Sequence, residues 1–336
     1  MNKSRIKWID DAKGFAALLV IIGHIANSHI KAETFVPQQG LLEAVHSFIY
    51  MFHMPLFMLL SGFMLYKAYC VNREAKKKNY ILQLINIVWL YFFFAVALWV
   101  AKMLFSAQVV ANVGVKDLIR LPIDPIDETW YLYVLFFLYL LCYAIEKLKF
   151  KEELKLGALL AVSMVAEFLP LALSSPWYRI LHYAFFFYCG VYLAKKPEGI
   201  LTKKYVRPAY YIGSVVITVL FFIVGDMAYI EIINLAVAFI LSMAVVCIFM
   251  GQEGAGTIVH KCLNCTGRYA LEVYLLHTYV ITVCRVILPR IGIVHFAPNM
   301  IISFLLCVLV PIWAVILLKK IKLHTFIFRP VAFLKK

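Results

Sequence analysis

The chain of 336 residues is 64% hydrophobic and only 15% charged, with a mean hydropathy of +0.87, far too apolar for a soluble globular protein. Its formal net charge of +15 does not point to a nucleic-acid partner, because Lys and Arg are distributed by loop as in a membrane protein whose cytoplasmic loops are basic. The fold class these observations imply is all-α: a polytopic integral membrane helical bundle forming one domain over residues 1–336.

A helical span needs about 20 mostly apolar residues. Ten such runs lie between charged or Pro/Gly-rich stretches, at approximately 11–29, 45–66, 80–105, 129–146, 155–173, 177–194, 208–225, 229–250, 268–289 and 298–318. With the N-terminus cytoplasmic, the inner side collects Lys3, Arg5 and Lys7, then Arg73 and Lys76, then Lys147 to Lys155, then Lys195 to Arg207, and last the tail from Lys319 to Lys336. The outer loops hold few basic residues, chiefly Lys31, Lys116, Arg120, Arg179 and Arg290. The alternation predicts an even number of spans and two cytoplasmic termini.

The first run carries Asp10, Asp11 and Lys13 at its entrance and His24 inside it. Eleven helical steps return Lys13 and His24 to within roughly 20° on one face, about 16 Å apart along the axis. An ionisable group at bilayer depth is expensive and faces a cavity or partner. Asp10 and Asp11 before the apolar stretch, with no small-residue cleavage site after it, predict a retained helix and not a signal peptide.

The second run combines His53, Pro55 and the pair Ser61-Gly62. Pro55 cannot donate to the helix ladder, which suits a kink lining a cavity. Ser61-Gly62 fits either a functional role or close helix packing. Before the third run, Arg73 and Lys76-Lys77-Lys78 form the densest basic patch at any helix entrance. The outer loop near 106–128 is broken by Pro122 and Pro125, and carries enough acid to be locally negative.

The fourth run opens on Trp130-Tyr131-Leu132-Tyr133, read as an interfacial aromatic belt or as a stacking contact for a sugar ring. Glu167, Glu231 and Asn234 weaken the fifth and eighth runs. The ninth run holds Arg268 and Glu272 at i,i+4 spacing and the deeper His277. Cys262 and Cys265 form a C-x-x-C without a second ligand pair, so no metal site is expected. The basic tail fits an anchor on anionic lipid. After the tenth run only about 18 residues remain, which leaves no room for an appended soluble domain.

These blocks resemble the membrane acyltransferase family 3, which includes O-acetyltransferases of bacterial surface glycans and fucose O-acetylase-like members. The matching segments are Ile9-Asp10-Asp11-Ala12-Lys13-Gly14 leading to Gly23-His24, Phe52-His53-Met54-Pro55-Leu56-Phe57 leading to Leu60-Ser61-Gly62-Phe63, then Trp130-Tyr131-Leu132, and Tyr274-Leu275-Leu276-His277. The resemblance implies a multi-pass protein of the bacterial inner membrane. It would transfer an acyl group, usually acetyl, from acetyl-CoA or another acyl-CoA to a hydroxyl of a carbohydrate or lipid-linked glycan. No bound cofactor is implied, and membrane lipid is the surrounding partner. His24 matches the family's essential histidine and Lys13 its basic partner. Asp10, His53, Ser61, Trp130, Glu272 and His277 are candidates for a supporting or acceptor role. The family's paired arginines near the third span are replaced here by Arg73-Glu74-Ala75-Lys76, so Arg73, Lys76, Lys77 and Lys78 are the candidate donor-binding group.

Two chemical routes are open at this level: general-base activation of the acceptor by His24, or transient acylation of His24 or another side chain. A different class of function, an exporter or flippase of polysaccharide or lipid-linked sugar, would use His24, His53, Glu231 and His277 along a path. The chain shows no internal repeat of the kind many transporters carry, which favours the enzyme. The acceptor sugar, the side of the membrane and the oligomeric state are not legible in the sequence.

Overall fold

The computed structural model describes residues 6–69, 76–106, 113–196, 205–224, 231–252 and 256–335. In chain order the helices are α1 (Lys7–Lys31), α2 (Gln39–Tyr69), α3 (Lys76–Leu104), α4 (Val115–Arg120), α5 (Trp130–Glu146), α6 (Glu152–Ala166) and α7 (Pro176–Lys195), followed by α8 (Val206–Val224), α9 (Glu231–Gly251), α10 (Ile258–Arg268), α11 (Ala270–Arg290), α12 (Phe296–Lys320) and α13 (Leu323–Phe328). No strand occurs among the described residues. Each of the ten apolar runs falls on a helix. Among the described residues, seven helices, α2, α3, α5, α8, α9, α11 and α12, contain segments long and apolar enough to cross a membrane.

The run expected at 155–173 ends early, because α6 stops at Ala166 and Glu167 turns into a hydrogen-bonded cluster described below. The run expected to begin at 268 is also divided: Arg268 closes α10, and α11 begins at Ala270 after Tyr269.

The chain forms two compact units, Met1–Leu60 with Pro197–Ala314, and Ser61–Lys196 with Val315–Lys336. In the first, α1 packs on α9, α10 and α11, and α8 packs on α9. Asp10 in the first turn of α1 and Lys31 in the last complement the helix dipole. The core joins Ile21 and Ile25 of α1 to Val273 and Ile281 of α11 and Cys307 of α12. A second cluster, Ala26, Phe35 and Leu42, packs against Phe296 and Met300.

Helix α10 is an element that the hydropathy reading leaves inside a loop. The hydroxyl of Thr257 caps it by accepting from the His260 backbone N–H at 3.3 Å. Two glycines let it lie against α1: a Cβ at Gly14 would overlap the Leu263 carbonyl, and one at Gly267 would overlap that of Asp10.

In the second unit α5 packs on α3 and α7, and α6 packs on α7. A charged clasp closes the ends of α5, α6 and α7. Lys195 reaches Glu146 at 2.6 Å and Glu152 at 2.7 Å, and the Tyr188 hydroxyl donates to both carboxylates. Gly62 sits so close to α7 that a Cβ would overlap the Phe187 carbonyl, so the packing role weighed for Ser61-Gly62 holds for the glycine. The tail folds back on α3, where Asn86 and Trp89 donate to the carbonyls of Phe328 and Ile327 at 3.2 and 3.0 Å. These bonds satisfy carbonyls at the end of α13 that the helix itself cannot.

Candidate active site

Of the sequence-predicted residues, Asp10, Lys13, His24, His53, Glu272 and His277 lie in the first unit. Lys13 pairs with Asp10 at 2.8 Å, one turn back along α1; Asp10 is buried and Lys13 is about a quarter exposed at 23%. Asp11 is bound instead to His260 of α10 at 3.0 Å, whose other ring nitrogen meets the Gln252 side-chain oxygen at 3.1 Å. Asn264 of α10 also donates to the Lys7 carbonyl. Helix α10 therefore grips the entrance of α1 by close backbone packing and by side-chain bonds to Lys7 and Asp11. Of the two acids at the entrance, Asp10 is thus the partner of Lys13 and Asp11 that of His260.

Three turns further along α1, His24 stands among aromatic and imidazole groups. The Tyr50 hydroxyl of α2 lies 3.5 Å from His24 Nδ1, and the His277 ring of α11 meets the His24 ring edge-on at 5.1 Å between centroids. Tyr50 also contacts His53 at 4.7 Å and His46 at 3.8 Å. A side chain at Gly23 would press on the Tyr50 ring at 3.0 Å, so glycine before His24 admits Tyr50 to this place.

The tautomers of two rings follow from geometry. His53 Nδ1 lies 2.8 Å from the Ile49 carbonyl, and His277 Nδ1 lies 2.7 and 3.1 Å from those of Tyr274 and Val273. A carbonyl only accepts, so Nδ1 is the protonated nitrogen of each neutral ring and Nε2 carries the lone pair. His277 is fully buried, and its Nε2 has no hydrogen-bond partner among the described residues. An unsatisfied acceptor in such a place is costly unless a ligand or a moving proton meets it. His24 differs, in that its ring contact is to the Tyr50 side chain. The cluster thus offers one imidazole flanked by a phenol and by a second imidazole with a fixed lone pair, an arrangement able to take up a proton.

The other predicted residues distribute as follows. Glu272 lies half-buried in the first turn of α11, while Arg268 donates to Asn264 at 2.9 Å; the break at Tyr269 removes the continuous helix that their spacing assumed. In the second unit the Ser61 hydroxyl is 2.8 Å from that of buried Tyr131. Trp130 has Arg179 over its ring at 4.1 Å and stacks on Tyr183 at 5.7 Å. Arg73 lies outside the described residues; Lys76 and Lys77 open α3, and Lys78 is exposed on it. Cys262 and Cys265 are exposed, and no group of three metal-ligating side chains occurs among the described residues. Sequence reasoning missed Tyr50 and His260. The signal for Tyr50 was its place three residues before His53 on the same helix face.

The family model of an acyltransferase domain matches residues 6–319. Nodulation protein NolL of Mesorhizobium japonicum (strain LMG 29417 / CECT 9101 / MAFF 303099) is 29% identical over 191 residues, covering 56% of this chain. The match spans about half, 48%, of that relative's own length. No solved structure matches.

Proposed function

The chain belongs to membrane acyltransferase family 3, and on that premise we propose that it moves an acetyl group from acetyl-CoA to a hydroxyl of a carbohydrate or lipid-linked glycan in a bacterial inner membrane. The observation that carries this reading is the His24 site, with Tyr50 and His277 around the imidazole and the Lys13–Asp10 pair on the same helix.

In the proposed step His24 takes the proton of the acceptor hydroxyl as its oxygen attacks the thioester carbonyl. The carbon–sulfur bond then breaks, and the CoA thiolate leaves and is protonated. Neutral imidazole suits the task near pH 7. His277, whose Nε2 can only accept while Nδ1 is held by backbone carbonyls, favours the His24 ring once it carries a second proton. Lys13 at the entrance attracts the negatively charged donor. Its pairing with buried Asp10 fixes the ammonium in place and makes it a positioned donor of hydrogen bonds.

The test uses purified protein in nanodiscs, acetyl-labelled CoA and a lipid-linked glycan fraction. The expected result is label in an alkali-labile ester on the glycan, with free CoA thiol released in equal amount. Movement of glycan across vesicles with no label transferred overturns the reading in favour of an exporter.

A further inference from the structure

A second histidine, in the other compact unit, is held as a base and belongs to none of the groups discussed so far. Glu167 follows α6, and its carboxylate is buried, with only 3% of the side chain exposed. It accepts from His182 Nδ1 at 2.5 Å and from the Tyr178 hydroxyl at 2.7 Å, both on α7. Tyr178 also stacks on the His182 ring, and Tyr183 meets that ring edge-on at 4.8 Å.

Capping the end of α6 does not require this arrangement. A buried carboxylate carries a desolvation cost that a neutral amide making the same bonds avoids. What a carboxylate adds is a fixed Nδ1–H tautomer that leaves the lone pair on Nε2 of the imidazole it holds, the relation found behind catalytic and metal-binding histidines. His182 Nε2 has no hydrogen-bond partner among the described residues, and the side chain is 15% exposed. The ring therefore keeps one acceptor atom that none of its protein contacts uses.

The surroundings limit what that atom can take. Among the described residues no third ligand completes a metal site. Arg179 lies against Trp130, which stacks on Tyr183 beside His182, so a cationic ligand is repelled. A neutral hydroxyl is the donor that fits, and the rings of Tyr183 and Tyr178 beside His182 supply aromatic surface of the kind on whose faces the C–H groups of a sugar pack. Trp130, with Arg179 and Tyr183 on its ring, acts here as the wall behind the site.

We infer that Glu167 and His182 form a sugar-binding subsite in which His182 Nε2 accepts a hydroxyl of the carbohydrate acceptor. The inference rests on the proposed transfer to carbohydrate for the ligand's identity, but its binding test does not need acyl transfer.

Protein labelled with nitrogen-15 at histidine, in nanodiscs, is titrated with methyl glycosides of neutral hexoses and of deoxyhexoses, and the His182 nitrogens are assigned by their loss in His182→Gln. The expected result is a saturable shift of Nε2 for at least one glycoside, removed in Glu167→Gln and kept in Tyr178→Phe, whose Glu167–His182 bond is intact. In the transfer assay, His182→Gln raises the acceptor KM about tenfold, the scale of one lost hydrogen bond. Absence of any shift across the panel, or a wild-type acceptor KM in His182→Gln, overturns the inference. A shift without any thioester cleavage by the wild type leaves the subsite standing and overturns the proposed function instead.

Discussion

Replacing Gly267 by alanine separates the architecture of the α1 entrance from the chemistry at His24. A Cβ built there lies 2.6 Å from the Asp10 carbonyl carbon and 2.9 Å from the Gly14 nitrogen, where ordinary contact begins near 3.4 Å. The opposing atoms are backbone, so α10 and α1 must part by about 1 Å, and overpacking of this kind costs about 1–3 kcal/mol. That displacement strains the His260–Asp11 and Asn264–Lys7 bonds and moves Asp10, whose carboxylate fixes Lys13. His24 is about 20 Å further along the helix from Asp10, beyond the seam. Gly267→Ala is therefore expected to lower the midpoint of thermal unfolding by about 2–6 °C and to raise the acyl-donor KM several-fold, with a smaller effect on kcat. Gly157→Ala on α6, where an added Cβ meets nothing within 4 Å, is the control: it leaves the donor KM unchanged and, by helix propensity, does not lower the midpoint. Wild-type stability and donor KM in Gly267→Ala would refute the claim that the two glycines set the α1–α10 approach.

The environment of His24 and the charged clasp give further expectations. His277→Ala is expected to lower kcat about 10–100-fold with little change in either KM, the usual scale for a group that orients a reacting side chain; an unchanged kcat contradicts the assignment. Tyr50→Phe removes the hydroxyl beside His24 Nδ1 and is expected to lower kcat about tenfold without loss of thermal stability, which steady-state kinetics and an unfolding scan together check. Burial pushes the Glu152 carboxyl up, but hydrogen bonds from Lys195, Tyr188 and Lys155 outweigh it and hold the group below its usual 4.5. A depressed carboxyl contributes stability above its unfolded value and loses it as pH falls through the folded one. Unfolding scans should therefore show wild type losing stability below about pH 4.5 more steeply than Glu152→Gln; identical acid limbs would exclude this contribution.

Much of the fold is legible because a bilayer permits few solutions. Backbone groups in lipid must bond within their own segment, so each long apolar run becomes a helix. The elements not legible are those whose stability comes from partners. Helix α10 has 11 residues, too few for a span, and the Gly14–Gly267 approach makes its place intelligible. The end of α6 depends on Glu167 finding Tyr178 and His182, which no local pattern announces. The Arg268–Glu272 spacing assumed one helix, whereas Tyr269 divides two. At the site, Lys13 and His24 stand out because ionisable groups are rare at bilayer depth. Tyr50 is hidden among ordinary interfacial aromatics. His277 is in the sequence a candidate for a supporting or acceptor role, and its backbone hydrogen bonds are not legible there. Those bonds occupy Nδ1 and leave Nε2 for the site.

The central claim is that His24 removes the proton from the acceptor hydroxyl. Its most direct measurement is single-turnover transfer from acetyl-labelled CoA by purified His24→Ala beside wild type, with thermal unfolding and equilibrium binding of CoA confirming that fold and donor affinity persist. The account predicts a fall in the transfer rate of about 10²–10⁴-fold, the scale of general-base catalysis, at unchanged CoA affinity. Transfer at the wild-type rate by the folded variant would contradict it.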